Sequence, residues 1–341
     1  MTHAAPAAQP DHDGMRAMFR TMTLIRRFEE RASDEYMAGR IGGFLHLAIG
    51  EEAAIVGTVS ALRPDDPLTS TYREHGQALA RGSDPRAIMA ELLGRATGIC
   101  GGRGGSMHLM DRERSFYGGY GIVGGAVPLA LGLAWATRYR GGDQVSVTMF
   151  GEGAANQGVV SECFNMAGLW DLPIVFLILN NQYGMGTPVE RAAAVEDFYP
   201  RAAAYDIESW KVDGMDVLAV RGAVAEAARL AREERRPACV ELLAYRYRGH
   251  SMSDPDTVRA TEEKERWKAR DPLVTFERVL LGEGIMDADA IAAMQAEIDD
   301  VVTDAAAFAE ESPEVPVDEL ARDVYAQPWN DDPRGSALMR P

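Results

Sequence analysis

Two polar residues, Glu152 and Asn181, close the ends of the segment GEGAANQGVVSECFNMAGLWDLPIVFLILNN (151–181). One carboxylate, one amide oxygen and free backbone carbonyls suit a hard cation such as Mg2+, which keeps coordination positions for phosphate oxygens. Alone, Gly-Glu-Gly reads as a surface turn and Asn-Asn as a strand terminator. The elements between them favour the metal reading. An apolar run, Val145–Phe150, precedes the glycine turn, a stretch of helical period follows, and a second apolar run ends at Asn180-Asn181. Such a β-α-β crossover opens both strand ends on one edge of a parallel sheet. Open α/β sheets bind ligands at that edge.

Other residues offer complementary chemistry. Tyr72 and Arg73 follow a short predicted strand, Pro67–Ser70. A guanidinium presents a planar fork to phosphate oxygens, whereas an isolated Tyr-Arg pair is an ordinary surface feature. Gly121, Ile122 and Val123 stand where a glycine-rich segment becomes an apolar helix. Backbone groups there can hydrogen-bond an aromatic base, and a helix start that needs glycine for close packing reads the same way. His46, His75 and His250 are half of the six histidines and lie in GGFLHL, YREHG and RYRGHSM. Imidazole is the natural acid/base near neutral pH, although a lone histidine is more often structural. Residues 246–261 are basic, polar and contain Asp-Pro, and read as a mobile loop. Met15, Met18, Met22, Trp170 and Trp210 read as core or subunit-contact side chains.

Positioning these residues requires an alternation of elements. Helical periodicity predicts helices near 15–38, Glu51–Ala61, Pro85–Leu93, 126–139, 157–169, 216–234 and 289–311. Strands are predicted at Pro67–Ser70 and near 145–150, 174–179, 207–212 and 238–244. The pattern predicts an α/β fold, a doubly wound, mostly parallel sheet flanked by helices. Residues 1–14 read as a disordered arm, 15–326 as a single domain and 327–341 as an extended tail. The glycine-rich segment 94–121 reads as a binding loop. The apolar stretch Ile122–Thr137, interrupted by Gly124, Gly125, Pro128 and Gly132, is too short for a membrane span and reads as a buried helix.

Bulk properties exclude several classes. The chain has 341 residues, 46% of them hydrophobic, enough for one large domain. A net charge of −17 without a basic stripe argues against nucleic-acid binding, and an anionic cofactor must be held by local cations. Three scattered cysteines without a CxxC suggest no disulfide framework and a reducing cytoplasm. The N-terminal residues carry no secretory pattern. His250-Ser251 lacks a GxSxG elbow, which removes the hydrolase reading. GGRGGS lacks the strand-turn-helix setting of a dinucleotide fingerprint, which removes the nicotinamide oxidoreductase.

With GGRGGSMHLM (101–110), FYGGYGIVGGAVPLALG (116–132), NNQYGMGTPVERAAA (180–194) and YRYRGHSMSDP (245–255) in order, the chain resembles the alpha subunit of the thiamine-diphosphate-dependent pyruvate dehydrogenase first component. This is the 2-oxo acid dehydrogenase family, whose usual signature is Gly-Asp-Gly followed, nearly thirty residues on, by Asn-Asn. The likeness spans residues 15–330. It implies a thiamine-diphosphate-binding fold, thiamine diphosphate and Mg2+ as cofactors, and oxidative decarboxylation of pyruvate. The acetyl unit would pass to a lipoyl group on a dihydrolipoyl acyltransferase. An acetoin or branched-chain 2-oxo acid dehydrogenase alpha subunit is the nearest alternative.

The resemblance implies Glu152, the Asn181 side chain and the Tyr183 backbone carbonyl as metal ligands. It assigns Tyr72, Arg73, Gly121, Val123, Gly151, Glu152, Gly153, Ala154, Asn181, Tyr183 and His250 to cofactor binding. It gives His250, His46 and His75 catalytic roles, with His46 and His250 facing the active-site channel. Ser251 matches a serine phosphorylated in eukaryotic relatives. A carboxylate needed against the aminopyrimidine comes, in such relatives, from a separate beta subunit. The implied enzyme is therefore a heterotetramer of two alpha and two beta chains. Glu152 departs from the family's Asp; its extra methylene moves the carboxylate by up to about 1.5 Å. That departure is the sole support for reading the chain as a noncatalytic scaffold.

Overall fold

The computed structural model describes residues 10–321; the expected C-terminal tail, 327–341, lies outside the described residues. Helix α1 (His12–Met37) starts at Asp11, whose carboxylate accepts from the Gly14 amide at 2.8 Å. Residues 12–14, expected in a disordered arm, therefore belong to this helix. Met15, Met18, Met22, Ile25 and Phe28 recur every three or four positions and bury one helical face. Then come α2 (Glu52–Ser60), β1 (Leu68–Thr71), α3 (His75–Ala80) and α4 (Pro85–Leu92). Asp84 caps α4 and Pro85 occupies its first turn, where the missing N–H is harmless.

The sheet-building middle comprises β2 (Phe116–Tyr120), α5 (Ala126–Tyr139), β3 (Ser146–Gly151), α6 (Gly158–Leu169) and β4 (Ile174–Asn180). A small hairpin, β5 (Tyr183–Gly184) and β6 (Thr187–Pro188), precedes α7 (Val189–Ala192) and α8 (Pro200–Ala203). The sheet is completed by β7 (Glu208–Asp213), α9 (Val217–Arg229) and β8 (Ala238–Leu243). Helices α10 (Thr261–Lys268), α11 (Pro272–Gly282) and α12 (Ala288–Glu311) follow.

Six strands form one parallel sheet in the order β2-β1-β3-β4-β8-β7. Every residue of β4, IVFLILN, is buried, as expected for a strand covered on both faces. Alternate residues feed two cores: Leu177 and Leu179 belong to the one that also contains residues of α1, α2 and α9, Phe176 and Ile178 to the one that contains residues of α5 and α6. The predicted doubly wound architecture is the one observed.

Two expectations change. Strand β2 lies inside the glycine-rich segment, where its pattern is masked by Gly118 and Gly119. Glycine is required at 119, because a Cβ there would stand 2.1 Å from Glu74 Cδ and 2.4 Å from the Thr71 carbonyl oxygen. The apolar stretch from Ile122 is also not a wholly buried helix. Helix α5 begins at Ala126 and exposes Leu129, Trp135 and Tyr139, the last two stacked at 5.2 Å. Among the described residues, no helix is long and apolar enough to cross a membrane.

Candidate active site

From β1 the chain steps outward to β2, then returns past β1 to β3, so the winding reverses between β1 and β3. A crevice at the carboxyl ends of strands forms at such a switch. A cavity of about 220 Å3 opens there. It is lined from β1 by Tyr72 and Arg73, from the β2 end by Tyr120 and Val123, and from β3 by residues 149–154. Asn181, Tyr183, Arg246, His250 and, from the start of α2, Glu51 complete the wall.

Parallel pairing of Gly151 with Leu179 brings the next residues together. The Asn181 backbone amide donates to Glu152 Oε2 at 3.3 Å, and the Asn181 side-chain amide donates to Glu51 Oε1 at 2.8 Å. Asn181 Oδ1 accepts from the Tyr183 amide at 3.3 Å. Glu51 and Glu152 are both buried. Burial, reinforced by Glu51, pushes the Glu152 carboxyl up to about 7. Neither carboxylate has an ion-pair partner among the described residues.

Two buried guanidinium groups stand in the same wall. Arg73 donates to the Leu47 carbonyl at 2.6 Å and the His250 carbonyl at 2.9 Å. Arg246 donates to the Arg248 carbonyl at 3.0 Å. Burial, then the neighbouring Arg73, pulls Arg246 down to about 10. Neither arginine forms an ion pair among the described residues. Unpaired buried cations beside unpaired buried carboxylates are costly. The set fits an anionic ligand bridged to a divalent cation: guanidinium groups for the anion, carboxylate and amide oxygens for the metal. No group of three His, Cys, Asp or Glu capable of holding a metal occurs among the described residues, so a divalent cation here would need an amide and backbone oxygens to complete its coordination.

The histidines separate. His250 lines the cavity, its amide donating to Asp254 Oδ2 at 2.6 Å. Burial, then Arg73 and Arg246, pulls its pKa down to about 4, so the ring is neutral at pH 7. His46 stands behind the wall, its ring centroid 4.6 Å from Tyr72 and 5.1 Å from His250. Its ring packs against both of those side chains, which line the cavity. Burial, then Arg73, holds its pKa near 3. His75 is the clear correction. It is fully buried between Glu29 and Ser106 and is absent from the cavity wall, so it cannot touch a ligand there.

Gly151, Glu152, Gly153, Ala154 and Val123 are in the wall. Gly121 lies between the lining residues Tyr120 and Ile122, and its amide donates to His108 Nε2 at 3.4 Å. The glycine-rich loop before it turns inward. The amides of Cys100, Gly102, Gly104 and Gly105 all donate to the buried carboxylate of Glu91, at 2.7–3.0 Å. Those amides are therefore unavailable to a ligand. The 246–261 segment is tied down by Arg259, which donates to the Arg246 and Arg248 carbonyls and to Asp256. Ser251 is buried, with its hydroxyl 2.9 Å from that of Ser253.

Sequence reading missed Glu51 and Arg246. Arg246 and Arg248 alternate in one motif, and only the backbone path after β8 decides which enters the cavity. Glu51 sits beside Glu52, and only the α2 start distinguishes the two: Glu52 turns away to Arg26, at 2.5 Å.

The family model of the dehydrogenase E1 component matches residues 20–318, and the chain belongs to that family. It is 48% identical over 307 residues to the pyruvate dehydrogenase E1 component subunit alpha of Rhizobium meliloti, covering 90% of this chain and 88% of the relative. The Zymomonas mobilis protein of the same name is 47% identical over 311 residues, with 91% and 87% covered. The human testis-specific mitochondrial form is 43% identical over 320 residues, with 93% and 81% covered. The resemblance carried by the four motifs is thereby established across nearly the whole chain.

Proposed function

We propose that this chain is the alpha subunit of a pyruvate dehydrogenase first component, catalysing oxidative decarboxylation of pyruvate together with a beta subunit. The carrying observation is the cavity wall, where Arg73 and Arg246 stand opposite in charge to Glu51 and Glu152 with all four buried and none ion-paired among the described residues. In this reading Glu152, Asn181 and the Tyr183 backbone hold Mg2+. Tyr72, Arg73, Arg246 and residues 151–154 hold the diphosphate of thiamine diphosphate, and residues 121–123 receive its aminopyrimidine. When bound, that cofactor supplies a nucleophilic carbon and an electron sink.

The chain's own groups do the rest. His250, neutral at pH 7 under the influence of burial and two arginines, can accept or return a proton at the cavity wall. Ile122 and Val123 line the cavity yet are 76% and 47% exposed, which supports a beta subunit closing that side. The acetyl unit then passes to a lipoyl group of an acyltransferase. Pyruvate is preferred over acetoin and branched-chain acids on the names of relatives above 40% identity. Free, unpaired cysteines support a reducing cytoplasm.

The test is co-expression with candidate beta chains, calorimetry with thiamine diphosphate with and without Mg2+, and assay on pyruvate, acetoin and a branched-chain 2-oxo acid. Mg2+-dependent binding and fastest turnover of pyruvate are expected. No cofactor binding by the assembled enzyme would overturn the proposal, and faster turnover of either rival substrate would overturn the choice of pyruvate.

A further inference from the structure

We propose that His75, with Glu29 and Ser106, forms a buried strut that positions the two loops flanking the cofactor cavity, making His75 a positioning residue. The inference rests on the cofactor reading above. His75 Nδ1 lies 2.9 Å from Glu29 Oε2, and Nε2 lies 2.9 Å from Ser106 Oγ and 3.2 Å from the Ser106 carbonyl oxygen. The other Glu29 oxygen accepts from the Ala48 amide at 2.9 Å. The line therefore runs from Ala48 through Glu29 and His75 to Ser106, all of it buried.

Each end of the line sits in a loop that reaches the cavity wall. The Ala48 loop carries His46, which braces Tyr72 and His250, and Leu47, whose carbonyl receives Arg73 at 2.6 Å. The Ser106 loop carries His108, whose ring receives the Gly121 amide at 3.4 Å. His75 itself opens α3, two residues after Arg73. One imidazole thus fixes the separation of the His46 loop, the Gly121 loop and the strand end bearing Arg73.

The order Ser-His-Glu has the form of a hydrolytic triad, but Ser106 is buried and does not line the cavity, so no substrate reaches it. An apolar side chain would fill the same space more cheaply, since a buried polar group is costly unless its partners are satisfied. What the polar trio provides is direction. Two ring nitrogens on opposite sides hold two loops at defined positions. A glutamine amide has a donor and an acceptor and can reproduce both contacts; leucine fills the volume and makes neither.

The test uses the enzyme co-purified with its beta chain, comparing wild type, His75→Leu, His75→Gln and Ser106→Ala. Amide hydrogen exchange of residues 44–50 and 100–108 is followed without cofactor, and thiamine diphosphate affinity is then titrated with Mg2+. His75→Leu is expected to accelerate exchange in both loops and weaken cofactor binding by about 10-fold, with His75→Gln recovering most of both. Ser106→Ala, which removes one hydroxyl, is expected to accelerate exchange at 44–50, across the strut. Unchanged exchange at 44–50 in Ser106→Ala, or His75→Gln no better than His75→Leu, would overturn the strut. Failure of the wild type to bind cofactor would instead refute the cofactor reading, and the exchange measurements would still decide whether the two loops are coupled.

Discussion

Glu51 and Asn181, 130 positions apart in the chain, meet through a 2.8 Å hydrogen bond from the side-chain amide to the carboxylate. That bond fixes which way the Asn181 amide faces: nitrogen to Glu51, oxygen toward Tyr183. Orientation of a metal-binding group by an outer partner is commonly worth tenfold or more in affinity. Glu51→Gln keeps a possible hydrogen bond but loses the charge. It is expected to weaken Mg2+ binding about 10-fold in a Mg2+ titration at saturating thiamine diphosphate. Unchanged affinity would remove Glu51 from the site.

Residue 152 carries the longer carboxylate where the resembling family has Asp. Mg2+ requires oxygen at about 2.0–2.1 Å in near-octahedral geometry, which a short, stiff side chain meets more easily. Glu152→Asp should therefore bind Mg2+ and thiamine diphosphate at least as tightly as the parent chain. Glu152→Ala should lose about 10- to 100-fold in metal affinity. Calorimetry of the assembled enzyme distinguishes the two, and an alanine variant as tight as the parent would discard the assignment.

Arg246 is buried beside Arg73 with no carboxylate partner among the described residues. A buried, unpaired cation costs stability in the empty protein and repays it when an anion binds. Arg246→Met should raise the thermal midpoint of the cofactor-free protein by about 2 °C. The same variant should weaken thiamine diphosphate binding about 100-fold. Loss of both stability and binding would show that the guanidinium serves the fold.

Glu74 gives a pH signature independent of catalysis. Burial pushes its carboxyl up to about 8, with one oxygen accepting from the Leu109 amide at 3.0 Å and the other unpartnered. The native state binds this proton more tightly than the unfolded chain, whose ordinary value is 4.5. Its favourable contribution is therefore complete below pH 4.5 and declines as pH rises to about 8. Glu74→Gln cannot titrate and keeps an acceptor for Leu109. Its urea midpoint relative to the parent should rise between pH 5 and 8, reaching a gain of at least about 1 kcal/mol. A pH-independent difference would contradict the buried neutral acid.

Much of the fold was legible because its strands are continuous apolar runs and its long helices carry three- and four-residue spacing. Val145–Phe150 and Ile174–Leu179 are unambiguous in that respect. Strand β2 was not, since two of its five residues are glycines: Gly118 adopts a φ of +102°, and Gly119 packs against Glu74 and Thr71. The Glu152–Asn181 pairing followed from crossover geometry, which sequence order alone dictates. The role of His75 did not. A histidine two residues from Arg73 looks functional in sequence, but its ring points to Glu29 and Ser106, and only tertiary packing sets that direction. The amides around Gly102 and Gly104 likewise resemble a phosphate cradle until Glu91 is found among them.

The cavity wall draws on residues spread from Glu51 at the start of α2, through the ends of β1, β3 and β4, to Arg246 and His250 beyond β8. During synthesis, then, no ligand can be gripped until about 250 of the 341 residues have left the ribosome and β8 has docked beside β4. Vitamin capture is in this way a late checkpoint of biogenesis, reporting that the whole sheet has closed.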